Sequence, residues 1–282
     1  MSLVLVTLLG LTVVADGEID LPVDDVQAAL VDYAAHPSML GAITESEVLE
    51  RVGNALYVHQ RFRLPLLRDR EATLQVTWKT EGTRTTTRFR VDESRAPAKV
   101  DGVVRLEQLD GQWLLEPTRD GLATRVRFAV DVDFGGDLPK WMVRDGFAHN
   151  VPRLYEGLRR LAREEQRKRA RAACPSAVPG ARTDVADAGE GVQVVVSSVD
   201  ERARQEIRRR AVAYVEARDL GLLDDAARRG SECPGMVPRT FFEAEDTADG
   251  VMLTVRPIES AHTPLLRAIA HDQARHWPPP AN

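Results

Sequence analysis

"DVDFGGDLPKWMV" (residues 131–143) decides the fold. Up to Phe134 apolar and polar residues alternate, the pattern of a strand with one covered face. Gly135 and Gly136 then let the chain turn sharply, and Pro139 presets the entry to a helix. A strand that hands over through Pro139, Lys140 and Trp141 to an amphipathic helix reads as the joint between a sheet and the helix that covers it.

The sheet is legible upstream. "TRVRFAVDVDF" (124–134) places Val126, Phe128, Val130 and Val132 on one face, with Arg125, Arg127, Asp131 and Asp133 on the other. "TRTTTRFRV" (83–91) sets Thr87, Phe89 and Val91 opposite Arg84, Thr86, Arg88 and Arg90. "ATLQVTWKT" (72–80) aligns Leu74, Val76 and Trp78, and "ALYVHQRFRLP" (55–65) is strand-like. In "DGVVRLEQLDGQWLLEP" (101–117), Asp110 and Gly111 read as the centre of a turn between two short runs. Five or six antiparallel strands are expected between about residues 45 and 134, with one face covered. Ahead of them, "PVDDVQAALVDYAAHPSML" (22–40) reads as a helix through Val26, Leu30 and Tyr33, ended at His36 and Pro37.

The cover is "VPRLYEGLRRLAREEQRKRARAA" (151–173), with Val151, Leu154, Leu158 and Leu161 on one stripe. Beyond Ala162 the stripe fades into a basic end, read as a solvated helix terminus or as a contact for anionic lipid. The expected class is α+β: a curved antiparallel sheet around a long C-terminal helix, with a space enclosed between them.

Composition narrows the classes. Hydrophobic residues make up 43% of the chain and charged residues 29%, at a formal net charge of −5. That is the balance of a globular chain, and it argues against nucleic acid as a partner. The N-terminus carries an apolar run from Leu3 to Val14, too short to span a bilayer. It reads as a signal-peptide core (residues 1–15) with Val13 and Ala15 as the cleavage site, or as a first β-strand; no Lys or Arg precedes Arg51. The first reading places the protein outside the cytoplasm, periplasmic or extracellular; the second leaves a cytoplasmic location open.

The ordered set "PLLRDREATLQV", "GVVRLEQLDGQWLLEP", "DGLATRVRFAVDVDFGGDLPKWMV" and "VPRLYEGLRRL" resembles the START-type lipid-binding domains of bacterial and other proteins, within the helix-grip (Bet v 1-like) superfamily. The resemblance covers about residues 17–163. It implies a cavity between sheet and helix for a lipid or another hydrophobic small molecule, in a family many of whose members have no catalytic residue; no cofactor is expected, and the basic helix end is open to transient contact with a membrane surface. The strand residues expected to line it are Arg70, Leu74, Val76 and Trp78, together with Phe89, Trp113, Phe128 and Val130. Trp141, Phe147, Leu154 and Leu158 are expected from the helix. Within "RDRE" (68–71), Arg70 either holds a ligand head group or joins an ion-pair ladder that fixes the strand. Aromatics are sparse, at 5%, so Leu and Val are expected to supply much of the wall. Two other readings stand beside this one. A cyclase or hydratase would use Glu71, His59 or Asp133 as acid or base. An interaction module would fill the space with its own side chains.

The second half repeats itself. Cys174 and Cys233 are 59 positions apart. At that offset Pro175 meets Pro234, Val178 meets Val237, Pro179 meets Pro238, Asp187 meets Asp246, Gly191 meets Gly250, Val196 meets Val255 and Arg208 meets Arg267. Each copy (174–213 and 233–272) reads as a Cys-Pro turn, two strands and a helix, and together they resemble small bacterial repeat modules with a Cys-Pro opening. The expected domains are therefore 16–172 and 173–282. The cysteines are open to three readings: a disulfide, two independent buried residues, or metal ligands alongside His262, His271 and His276. No phosphate loop, Gly-x-Ser-x-Gly elbow or His-Glu-x-x-His occurs, and no resident metal is expected.

Overall fold

The computed structural model describes residues 5–9, 12–63, 67–135, 140–219, 233–237 and 239–277. The chain divides into two compact units, residues 1–165 and 166–282. Gly136 and Pro139 of the strand-to-helix joint lie outside the described residues.

In the first unit, β1 (Leu5–Leu9) and β2 (Thr12–Ile19) come before α1 (Val23–Val31) and a one-turn helix α2 (His36–Met39). There follow β3 (Ile43–Val52), β4 (Ala55–Phe62), β5 (Arg70–Glu81), β6 (Arg84–Val91), β7 (Val104–Arg105), β8 (Gln108–Thr118) and β9 (Ala123–Asp133), then α3 (Lys140–Ala173). The sheet runs β1-β2-β9-β8-β6-β5-β4-β3, antiparallel throughout, and β7 adds a short parallel pairing to β5.

The alternation read from 124–134 appears directly in β9. Val126, Phe128, Val130 and Val132 are buried, while Arg125, Arg127 and Asp133 are exposed. From α3, Val151, Leu154, Tyr155, Leu158, Leu161 and Ala162 pack on that covered face. Tyr155 is the residue the stripe did not single out. Its phenol donates to the carbonyls of Ala15 and Val126, at 3.0 Å from each, and pins the helix across β2 and β9.

Three expectations need correcting. Residues 12–19 are a strand, paired with β9 from Thr12↔Asp131 to Ile19↔Thr124. Val13 and Ala15, read as a cleavage site, are buried in it, and a cut after Ala15 would divide β2. The sheet thus begins before α1 and exceeds the five or six strands expected. The helix over 22–40 stops at Val31; Tyr33–Ala35 is a short 3-10 turn, and His36 and Pro37 begin α2 rather than end α1. Finally, Asp110 and Gly111 are no turn but the middle of β8. A Cβ on Gly111 would lie 2.4 Å from Cζ of Phe89 and 2.5 Å from the carbonyl oxygen of Ala129. Glycine stands there to admit a ring, not to reverse the chain.

The second unit comprises β10 (Arg182–Ala188), β11 (Gly191–Ser197), α4 (Glu201–Asp219), β12 (Thr240–Thr247), β13 (Gly250–Pro257) and α5 (Thr263–Arg275). Its sheet is β10-β11-β13-β12. Val194 pairs with Leu253, its own counterpart at the 59-residue offset, so a pseudo-twofold passes between them. Each helix lies against the hairpin of the other copy, α4 on β12 and β13, α5 on β10 and β11. The matched residues sit at these crossings. Arg208 donates to the carbonyls of Thr247 and Gly250, and Arg267 to those of Gly189 and Gly191. A Cβ on Gly191 would lie 2.0 Å from the carbonyl oxygen of Val255, and one on Gly250 at 2.0 Å from that of Val196. Cys174 and Cys233 form a disulfide, buried with Tyr214 and Met236. This removes the readings of independent cysteines and of a Cys/His metal site. His271 instead meets Asp187 at 2.9 Å, and among the described residues no group of three His, Cys, Asp or Glu is placed to hold a metal ion.

Candidate ligand cavity

Between the covered face of the first unit's sheet and α3 lies a cavity of about 490 Å³. The strands supply Leu74, Phe89, Leu109, Trp113, Phe128, Val130 and Val132; the first half of α3 supplies Phe147, Val151 and Leu154. Met39, Leu40, Ile43, Phe62, Leu106 and Phe134 complete the apolar wall. Three rings form one side: Trp113 and Phe128 have centroids 4.3 Å apart, and Phe89 and Phe128 stack at 6.4 Å. Phe89 reaches this row only because Gly111, directly across the strand pair, has no side chain.

The polar part of the wall is small: Tyr33, His36, Gln60, His149 and Asn150. It is ordered by one chain of hydrogen bonds. Nε2 of His36 lies 3.1 Å from the carbonyl oxygen of Leu30, and Nδ1 lies 3.3 Å from Nε2 of Gln60. Gln60 also donates to Oγ of Ser46 at 3.0 Å. Burial pushes the His36 pKa down to about 4, with the Leu30 carbonyl opposing the shift, so the ring is neutral at ordinary pH. Tyr33 packs tilted against that ring, with centroids 4.1 Å apart, and burial raises its phenol pKa. No Asp, Glu, Lys or Arg lines the cavity among the described residues.

Of the residues expected to line it, Leu74, Phe89, Trp113, Phe128, Val130, Phe147 and Leu154 do so. Val76 is fully buried in the core beside it, and Trp78, further along β5, is half-buried with the Arg51 guanidinium 5.9 Å from its ring centroid. Leu158 lies past Tyr155, where α3 packs directly onto β2 and β9 and closes the space. The Trp141 side chain lies outside the described residues. Arg70 shares the inward phase of Ala72 and Leu74 but does not reach the cavity; its guanidinium donates to the carbonyls of Phe134, at 3.4 Å, and Arg68. The ladder residue is Glu71, buried on the opposite face and bound by Arg105 at 2.6 Å.

The three residues proposed as acid or base lie elsewhere too. Glu71 and His59 are on the outer face, 3.7 Å apart, with burial lowering the His59 pKa against the pull of Glu71. Asp133 is exposed and accepts from the Gly135 amide at 2.8 Å. Sequence reasoning missed Tyr33, His36 and Gln60. Only Gln60 left a signal: it is the polar residue in the inward phase of Leu56, Val58 and Phe62.

A family model described as "Polyketide cyclase / dehydrase and lipid transport" matches residues 19–159. The uncharacterized protein PA1579 of Pseudomonas aeruginosa is 25% identical over 148 residues, 51% of this chain and 72% of that protein. Among solved structures, human STARD10 aligns at 17% identity and a TM-score of 0.49, covering 54% of this chain and 62% of that one. This chain thus spans less than two thirds of that structure's length. A STAR-related lipid transfer protein from Xanthomonas axonopodis aligns at 21% identity and a TM-score of 0.48, over 57% of this chain and 98% of that one. The Zhui aromatase/cyclase from Streptomyces aligns at 17% identity and a TM-score of 0.39, over 56% and 94%. With half of its length matched by that family model, and with the whole lining of the apolar cavity inside the matched residues, the chain belongs to the polyketide cyclase/dehydrase and lipid transport family.

Proposed function

We propose that the first unit binds and carries a lipid or another hydrophobic small molecule, without chemistry. The observation that carries this reading is the cavity wall: about 490 Å³ lined by aliphatic and aromatic side chains, with no described carboxylate, lysine or arginine. The volume falls within the roughly 300–1,000 Å³ of sites that enclose a small-molecule ligand. Each methylene moved from water into such a wall contributes about 0.8 kcal/mol, so one acyl or ring system suffices for useful affinity. A cyclase or hydratase needs an acid or base at the reacting atoms. Glu71, His59 and Asp133 lie away from the cavity, His36 is neutral with both nitrogens engaged, and His149, the other histidine of the wall, is solvent-exposed.

Native mass spectrometry of the purified protein, followed by extraction and identification of bound material, tests the reading. A stoichiometric apolar adduct is the expected result. A bare mass with no uptake from a mixed-lipid panel overturns it. The buried cystine also favours an oxidising compartment, outside the cytoplasm. Alkylation of free thiols in intact cells checks this: modification of Cys174 and Cys233 would refute it.

A further inference from the structure

We propose that the cavity selects an uncharged apolar molecule bearing a hydroxyl group, which docks between Gln60 and Tyr33. This rests on the carrier reading above and adds the head group to it.

The argument follows protons along the buried chain. A carbonyl oxygen only accepts, so the contact between Leu30 and Nε2 of His36 requires the hydrogen on Nε2. In the neutral ring Nδ1 is then a lone pair. The Gln60 atom that faces it must then be the amide nitrogen, a donor, and not the oxygen. The second N–H of that amide goes to Ser46. Both donors of Gln60 are therefore used, and its Oε1 has no partner among the described residues. Gln60 is only 4% exposed and lines the cavity. Tyr33 is also 4% exposed and lines the cavity, and its hydroxyl has no partner among the described residues either.

An acceptor and a hydroxyl, on the two residues that flank His36, are thus left open in a wall whose other polar members are His36, His149 and Asn150. Buried polar groups of this kind are normally satisfied, so their partner is sought in the occupant. A hydroxyl is the group whose chemistry answers both: it can donate to Oε1 of Gln60 and accept from the Tyr33 phenol. A carboxylate or phosphate would meet the lone pairs of Oε1 with no described cation to compensate. An ether or ester could accept from Tyr33 but would leave Oε1 unpaired.

The test uses the full-length protein, an environment-sensitive apolar dye, and three competitors with one chain length: hexadecanol, hexadecyl methyl ether and palmitate. Hexadecanol is expected to displace the dye roughly tenfold more tightly than the ether or palmitate. Gln60→Leu should remove the preference for alcohol over ether. Tyr33→Phe, which keeps the ring and its packing against His36, should narrow the preference several-fold. Equal binding of alcohol and ether by the wild type, tightest binding of palmitate, or an unchanged preference in a folded Tyr33→Phe protein overturns the head-group assignment and leaves the carrier reading standing. Failure of every competitor and of the dye itself to bind overturns both.

Discussion

His36 is buried, neutral and bonded at both nitrogens, and this has a pH signature. Its pKa is about 4 in the fold against about 6.5 in an unfolded chain. Between those values the unfolded state holds a proton that the folded state lacks. The contribution is therefore complete above about pH 6.5 and is lost as pH falls toward 4, by about 3 kcal/mol in all. Urea melts across this range should show a steeper loss of stability for the wild type than for His36→Gln; equal slopes would refute the assignment. Gly111 gives a second prediction at this scale. Gly111→Ala drives a methyl into the Phe89 ring and the Ala129 carbonyl, at a cost of about 1–3 kcal/mol. Gly41→Ala, where nothing lies within 4 Å, is the control and should melt close to the wild type. At the residue scale the sequence showed the apolar wall better than the polar corner. Phe89, Trp113 and Phe128 declare their face by alternation. Tyr33 and His36 sit where a helical pattern breaks down, and nothing local reveals that the break folds back toward β4.

The elements obey periodicity where burial is one-sided and depart from it where packing is tight. The alternation of β9 and the stripe of α3 were both legible, because each has a single covered face. The turn reading of Asp110 and Gly111 failed because glycine is the common residue of turns, while here it answers a clash between adjacent strands. Gly157 is another such case. It lies on α3 where a Cβ would come 2.0 Å from the carbonyl oxygen of Met39, and the neighbouring Arg160 donates to the Ser38 carbonyl. The helix therefore presses on α2 at the end of the cavity that holds His36. Gly157→Ala should push α2 away, destabilise the unit by about 1–3 kcal/mol and weaken retention of an apolar ligand. Thermal melts and dye displacement read the two effects. A variant with wild-type values in both would show that α2 yields freely.

Across the molecule, the two units rest on different means of stabilisation. The first has a large sheet and a long covering helix. The second has a small core, Val192, Val194, Val196, Val251, Leu253 and Val255 beneath two helices, together with the cystine. Closing a loop of this length typically stabilises by about 2–4 kcal/mol. Replacing Cys174 and Cys233 together with Ala should lower the unfolding midpoint of the second unit by a corresponding amount. The Trp277 indole, bonded to the Ser176 carbonyl at 2.9 Å, gives a local fluorescence signal. No change in that transition would mean that the bridge contributes nothing. Arg208 and Arg267, which meet at the 59-residue offset in the sequence, each bind the hairpin of the other half of the unit. The sequence could not say that the helices cross over, since offsets record what is repeated and not what touches what.

That crossing has a consequence for synthesis. When the hairpin of β10 and β11 leaves the ribosome, the helix that covers it, α5, has not yet been made. The valines of β11 must wait for a segment translated well after them, so this unit completes its core only once α5 has emerged. A ribosome stalled before α5 would hold an uncovered sheet face, ready to pair with another nascent chain.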